Sequence, residues 1–237
     1  MSQAIVKWVK HDNSSLANVC RQLFYMVRNP SIPAVGVIYK PLRVAHNTVV
    51  NLWAFCTRVF YYTPMFKTRL SNSPINLYLY SGMPQVLGKL DITIGDNTRI
   101  SGISTLCGRS CATETPQLVI GKNVDIGWQN SLSVGTRIEI QDNVRLAGKV
   151  FLAGFPGHPI DPVSRRQGAP ETDQQAKEII LEQDVWVGTG ATILAGVRVG
   201  KASIVAAGSV VTKNVPAGVI VAGNPAQIVK HLEISDE

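Results

Sequence analysis

The 237-residue sequence predicts an all-β domain wound as a triangular parallel coil, with a basic and mostly helical extension ahead of it. Three observations carry that expectation. An apolar residue recurs every six positions from Ile94 onward, and the place four residues later in each hexad is small or β-branched. The third is composition: 20 Gly and 13 Pro stand against 16% charged residues, which favours many short turns over long charged helices. A hydrophobic fraction of 45% supplies a continuous core and excludes a disordered chain.

The extension comes first in the chain. Residues 1–90 hold ten Lys or Arg against the single acid Asp12, a net +9, whereas residues 91–237 hold thirteen bases and fifteen acids, a net −2. Such a basic block suits nucleic acid or an anionic membrane surface. No recognised DNA- or RNA-binding motif accompanies it, so nucleic acid is not the expected partner. Ser14 or Ser15 can cap a helix running to Arg28, with Leu16, Val19, Cys20, Leu23, Phe24 and Val27 on one face. Pro30, Pro33 and Pro41 mark an irregular crossing, and a second helix is expected over residues 47–62, with Val49, Leu52, Trp53, Cys56 and Phe60 on one face. From Trp53 to Arg69, aromatics alternate with Arg58, Lys67 and Arg69, a pattern that fits an interfacial membrane segment or packing on the domain or a partner subunit.

No run reaches eighteen uninterrupted apolar residues, and the N-terminus lacks the apolar stretch of a signal peptide. Four cysteines do not make a disulfide framework in a chain of this size. The expected address is cytoplasmic, with the inner leaflet of the cytoplasmic membrane as a peripheral site for residues 1–85.

The coil is expected over residues 86–232, with a short tail at 233–237. Ile94, Ile100 and Leu106 open the series; Ile120, Ile126, Leu132, Ile140, Leu146 and Leu152 continue it; Leu181, Val187, Ile193, Val199, Val205 and Val211 form its longest run. The fifth places include Thr98, Ser104, Ser110, Val124, Asn130, Thr136, Val144, Val150, Val185, Ala191, Ser203 and Ser209. A period of six fits neither a helix nor a flat strand. It fits a coil whose turn takes three hexads, each side a short strand stacked on the next coil. About five coils follow, giving a height on the order of 24 Å. Residues 112–119 break the period, and the polar stretch 157–180 is expected to project as a loop.

These hexads, with Gly157-His158-Pro159-Ile160-Asp161-Pro162, Asp184-Val185-Trp186-Val187-Gly188, Ala206-Ala207-Gly208-Ser209 and Ala222-Gly223-Asn224-Pro225-Ala226, resemble the left-handed β-helix acyltransferases of the hexapeptide-repeat superfamily. The nearest branch is that of the galactoside and maltose O-acetyltransferases and their polysaccharide-modifying relatives. The likeness spans roughly residues 90–231. It implies a left-handed parallel β-helix, a homotrimer with active sites between neighbouring prisms, acetyl-CoA as co-substrate, no metal, and a sugar or glycan acceptor.

Acetyl transfer from a thioester to a hydroxyl needs a base for the hydroxyl proton, donors for the oxyanion and a groove for the carrier. His158 is the only histidine of the repeat region and is the candidate base, as the family's loop histidine is. Asp161 either orients the imidazole or caps a turn. Arg165 and Arg166 either hold an anionic acceptor or face water. The resemblance assigns Trp186, Thr189 and Ala207 to the pantetheine arm, Thr212 and Lys213 to the nucleotide phosphate, and Lys230 to the basic position often found there. The galactoside branch carries an acceptor asparagine upstream. In register that place falls on Gly127, leaving Trp128 and Asn130 as nearby acceptor candidates; Trp128 equally suits subunit packing, and Asn130 equally suits the prism interior.

The reading that follows is an O-acetyltransferase acting on a polysaccharide or lipid-linked saccharide. The alternatives are acetylation of small foreign compounds such as antibiotics and a non-catalytic scaffold. A carbonic anhydrase on the same prism needs three histidines per zinc, which the repeat region lacks, and Cys107 with Cys111 falls short of a zinc site.

Overall fold

A computed structural model describes residues 3–233, so the tail beyond Glu233 lies outside the described residues. The chain divides into two units, Met1–Leu52 and Trp53–Glu237.

In the first unit, helix α1 (Gln3–His11) is closed onto α2 (Ser15–Arg28) by Arg21, whose guanidinium donates to the carbonyls of Val9 (3.0 Å) and Asp12 (2.8 Å). The Ser14 hydroxyl caps α2 by accepting from the Ala17 N–H, and Asn29 ends it, both at the expected places. Helix α3 (Gly36–Thr57) begins eleven residues before the expected start and contains Pro41. A proline near a helix start removes one N–H···O bond without stopping propagation, so only Pro30 and Pro33 act as breakers. No residue of α3 is buried. The amphipathic face of α2 is likewise open, with Leu16, Val19, Leu23, Phe24 and Val27 all exposed.

In the second unit, a π-turn (Arg58–Tyr62) and α4 (Thr63–Lys67) lead into the prism. Phe66, 1% exposed, belongs to the hydrophobic core, and Tyr62 and Leu70 pack against that core. This stretch therefore plugs the bottom of the prism. Half of the aromatic-basic segment thus follows the packing alternative. Trp53, Phe60 and Tyr61 stay exposed.

Three sheets form the sides of the prism. The first face stacks Tyr78–Tyr80, Arg99–Ser101, Asp125–Ile126, Arg145–Leu146, Trp186–Val187, Ile204–Val205 and Val219–Gly223 in parallel, and Ala226–His231 closes it antiparallel. The second face holds six strands and the third five, with Val215 bridging to Val199 as a further rung. Among the described residues this makes six coils, one more than the hexads announced. The first coil starts at Tyr78, ahead of the boundary at 86, because Leu79, Val86 and Ile92 recur at seven and then six residues and escape a strict period. Seven rungs on the first face give a height of about 29 Å.

Every first-place residue of the hexads is buried. The fifth places are buried too, except Ser110 and Thr136, which sit at irregular corners and are exposed. Small second places are explained by one edge, where Gly127, Ala147, Gly188 and Ala206 each donate an N–H to the coil above, to Leu146, Val187, Val205 and Val221, over 2.8–2.9 Å. Both sheet ends are covered. At the bottom the Asn72 side chain bonds both the N–H and the carbonyl of Ile94, standing in for a strand, and the antiparallel hairpin covers the top of the first face.

Candidate active site

The projecting loop leaves the second face after Phe151–Ala153 and returns at Ile179–Leu181 on the third, so it stands on the edge between those faces. It is not a slack excursion. Asp161 caps the short helix α5 (Pro162–Arg166), its carboxylate accepting from the Ser164 N–H and hydroxyl, both at 2.7 Å. Those bonds, backbone first, hold the Asp161 carboxyl below its ordinary value. They form the cap that was one of the two alternatives for Asp161. Arg165 turns inward along the loop and donates to the carbonyls of Pro159 and Ile160 at 3.0 Å, so this guanidinium braces the His158 segment. Arg166 is exposed. Gln175, closing a 3-10 turn at Asp173–Gln175, donates to the His158 carbonyl at 3.4 Å.

The loop is pinned at its base. Arg109, with a side chain 2% exposed, bonds Glu171 at 2.7 Å and Asp173 at 2.6 Å, and the Thr113 hydroxyl adds a 2.7 Å bond to Asp173. His158 is thus an exposed imidazole on a backbone held from three sides.

Carrier-side candidates gather on a different edge, between the first and second faces. Gly190 donates to the Gly148 carbonyl and Gly208 to that of Thr189, which aligns Trp128, Gly148, Thr189 and Ala207 in one column. Thr189 and Ala207 are exposed. Nothing lies within 4 Å of where a Cβ would stand on Gly190 or Gly208, so this edge is an open shelf on which backbone groups can be approached. Trp186 flanks it on the first face, 51% exposed, and Lys230 lies on the antiparallel strand opposite Ile220. Thr212 and Lys213 do not join this group. They follow Val210–Val211 at the far end of the second face, on the edge that bears the loop.

Asn130 leaves the acceptor set. It is 1% exposed, donates to the Gly127 carbonyl (3.0 Å) and accepts from the Val150 N–H (2.7 Å), so both ends of its amide are used inside the prism. Asn130→Ala is expected to cost about 1–3 kcal/mol of stability by orphaning the Val150 N–H, with acceptor KM unchanged, as urea titration and kinetics will read. Trp128 remains available, 63% exposed on the shelf edge.

Residues 178–213 match the family described as bacterial transferase hexapeptide (six repeats). That match covers two turns of the prism, from Ile179–Leu181 to Val210–Val211. The fold is a left-handed parallel β-helix. A galactoside O-acetyltransferase of Lactococcus lactis is 33% identical over 137 residues, 54% of this chain and 64% of that protein. A 2,3,4,5-tetrahydropyridine-2,6-dicarboxylate N-acetyltransferase of Staphylococcus aureus is 44% identical over 95 residues, 40% of this chain and 34% of that one. The chain therefore spans less than two thirds of either relative's length. Among solved structures, the N-acyltransferase AntD of Bacillus cereus, in complex with dTDP and coenzyme A, superposes with a TM-score of 0.58 at 18% identity, over 74% of this chain and 90% of that one. That likeness is one of fold.

The clamp at Arg109 was not visible in the sequence. Arg109 lies 62 residues from Glu171, just ahead of a break in the period, and no spacing rule links them.

Proposed function

We propose that the protein is an acetyl-CoA-dependent O-acetyltransferase that modifies a sugar hydroxyl, with His158 as general base. The observation that carries the reading is His158 itself: an exposed imidazole on a loop whose capping, bracing and basal ion pairs fix its backbone. In this reading His158 takes the proton of the acceptor hydroxyl as its oxygen attacks the thioester carbonyl, and returns that proton to the departing thiolate. The open shelf at Thr189 and Ala207, flanked by Trp186, fits a long unbranched arm that meets mostly backbone and small side chains. The galactoside O-acetyltransferase relative supports the acceptor class.

Within one chain the histidine and the shelf stand on different edges, separated by the second face. Five or so residues at ~3.3 Å each make that side about 16 Å wide. A homotrimer, in which the loop of one copy meets the shelf of the next, brings the two together. The reading is tested by following thiol release from acetyl-CoA with methyl galactoside, maltose and lipid-linked saccharides. Acceptor-dependent release supports it. Absence of both release and acetyl-CoA binding removes it.

The first unit supports an address at an anionic membrane surface, beside lipid-linked or nascent polysaccharide acceptors. Its helices expose Leu23, Phe24, Val37, Ile38, Leu42 and Val49 among bases, with Asp12 as the one acid, and no described helix is long and apolar enough to cross a membrane. The full-length protein is expected to sediment with vesicles containing phosphatidylglycerol and not with phosphatidylcholine alone. Lys40→Glu with Arg43→Glu, both exposed on α3, is expected to weaken that binding by at least about tenfold. Equal binding to both vesicle types would contradict the charge argument.

A further inference from the structure

We propose that the acceptor saccharide docks in a cavity of about 490 Å3 that opens between the two interruptions of the repeat. This inference rests on the acetyl-transfer reading for what the docked sugar undergoes, and on the cavity's own chemistry for what it binds. The first interruption follows Thr105–Gly108 and the second follows Phe151–Ala153, so both leave the edge between the second and third faces. One uninterrupted corner, Gly135-Thr136, lies between them. A side chain on Gly135 would run into the carbonyl of Gly154, so the two coils close tightly there and the cavity forms beside the junction. Its volume falls in the range of small-molecule sites.

Both cations of the cavity wall are already matched. Arg109 is taken by Glu171 and Asp173, and Arg137 by Glu139 at 3.1 Å and the Gln117 amide oxygen at 2.9 Å. Gln141, and then Arg137, hold the Glu139 carboxyl below its ordinary value, so that partner stays ionised. No uncompensated cation is left to recognise a phosphate or a carboxylate. What remains is hydrogen-bonding capacity, from the hydroxyls of Thr115 and Thr136 and from the carboxylates of Glu114 and Asp173. That complement fits an uncharged, polyhydroxylated ligand.

One short turn joins the cavity wall to the histidine loop. Asp173, in its wall, begins the 3-10 turn whose last residue, Gln175, holds the His158 carbonyl. Two residues of such a turn rise about 4 Å. The same short element therefore shapes the sugar wall and carries the histidine backbone. The sequence pointed instead to Trp128 and Asn130, at the opposite edge of the second face, and to Arg165 and Arg166 in the loop.

Thr115 and Thr136 are both exposed at the cavity and accept large side chains without disturbing the core. With methyl galactoside and maltose as probes, Thr115→Trp and Thr136→Trp are each expected to raise acceptor KM about tenfold or more, with acetyl-CoA KM within about twofold. If the native protein turns over and neither tryptophan variant shifts acceptor KM, the cavity is not the acceptor site. Should the native protein transfer no acetyl group, the transfer reading fails and saturation-transfer NMR with the same two sugars judges the cavity alone. Binding to the native protein that Thr136→Trp abolishes supports it, and absence of binding overturns it.

Discussion

His158→Ala is expected to lower acceptor-dependent thiol release by about a hundred- to ten-thousand-fold, the range general-base catalysis contributes. Acetyl-CoA affinity should stay within about twofold, because the imidazole in this account touches the acceptor hydroxyl and not the carrier arm. The substitution removes an exposed side chain with no recorded hydrogen bond of its own; the loop contacts at this residue run through its backbone carbonyl. Stability should therefore not change, and a loss of activity cannot be assigned to unfolding. Asp161→Asn provides the contrast. Asparagine caps a helix as well as aspartate does, so activity near the native level is expected if Asp161 is a cap. A loss comparable to that of His158→Ala would instead make Asp161 the partner of the imidazole.

Arg109→Met is expected to be the most destabilising single change at the site. It leaves Glu171, 8% exposed at its side chain, as a buried carboxylate without its guanidinium, and breaking such a pair costs about 3–5 kcal/mol. Urea titration should show the lower midpoint. Hydrogen exchange should place the added opening in the loop, where Arg109 anchors both Glu171 and Asp173. Replacing both partners, as Arg109→Met with Glu171→Leu, should recover most of the loss, because the apolar pair removes the stranded charge. The double variant should still transfer acetyl slowly, since Asp173, at the start of the turn beneath His158, loses its ion pair and is left with the Thr113 bond alone.

Acid acts on the same clamp from the other side. The Thr113 hydroxyl, and then Arg109, hold the Asp173 carboxyl below its ordinary 3.8. A depressed carboxyl contributes its full stabilisation above that ordinary value and loses it as pH falls through its folded one. Loop protection should accordingly be flat across neutral pH and decline only below about 3.8.

The prism was legible because its physics is periodic. Each coil repeats one demand, an apolar residue inward at the same place on every side, and Leu181 through Val211 meet it six times in succession. The first coil was missed where that demand is met at uneven spacing, at Leu79, Val86 and Ile92. In the extension, the caps of α2 are local chemistry and were readable at Ser14 and Asn29, whereas the start of α3 was not, because Pro41 carries the same letter whether it breaks a helix or enters one. The loop histidine was named from its motif. Its supports at Arg109, Arg165 and Gln175 were not, since they depend on which residues meet across coils. For Asn130 the structure takes the interior alternative: its amide donates to Gly127 and accepts from Val150 inside the prism.

The central claim is that the base and the carrier shelf of one working site come from two copies of this chain. It is tested most directly by co-expressing two inactive variants, His158→Ala, which lacks the base, and Ala207→Trp, which blocks the shelf. In randomly mixed trimers about a quarter of the sites pair an intact loop with an intact neighbouring shelf. Thiol release near a quarter of the native rate is therefore predicted for the mixture, and none for either variant alone. A mixture as inactive as its components would contradict the account and return both groups to a single chain.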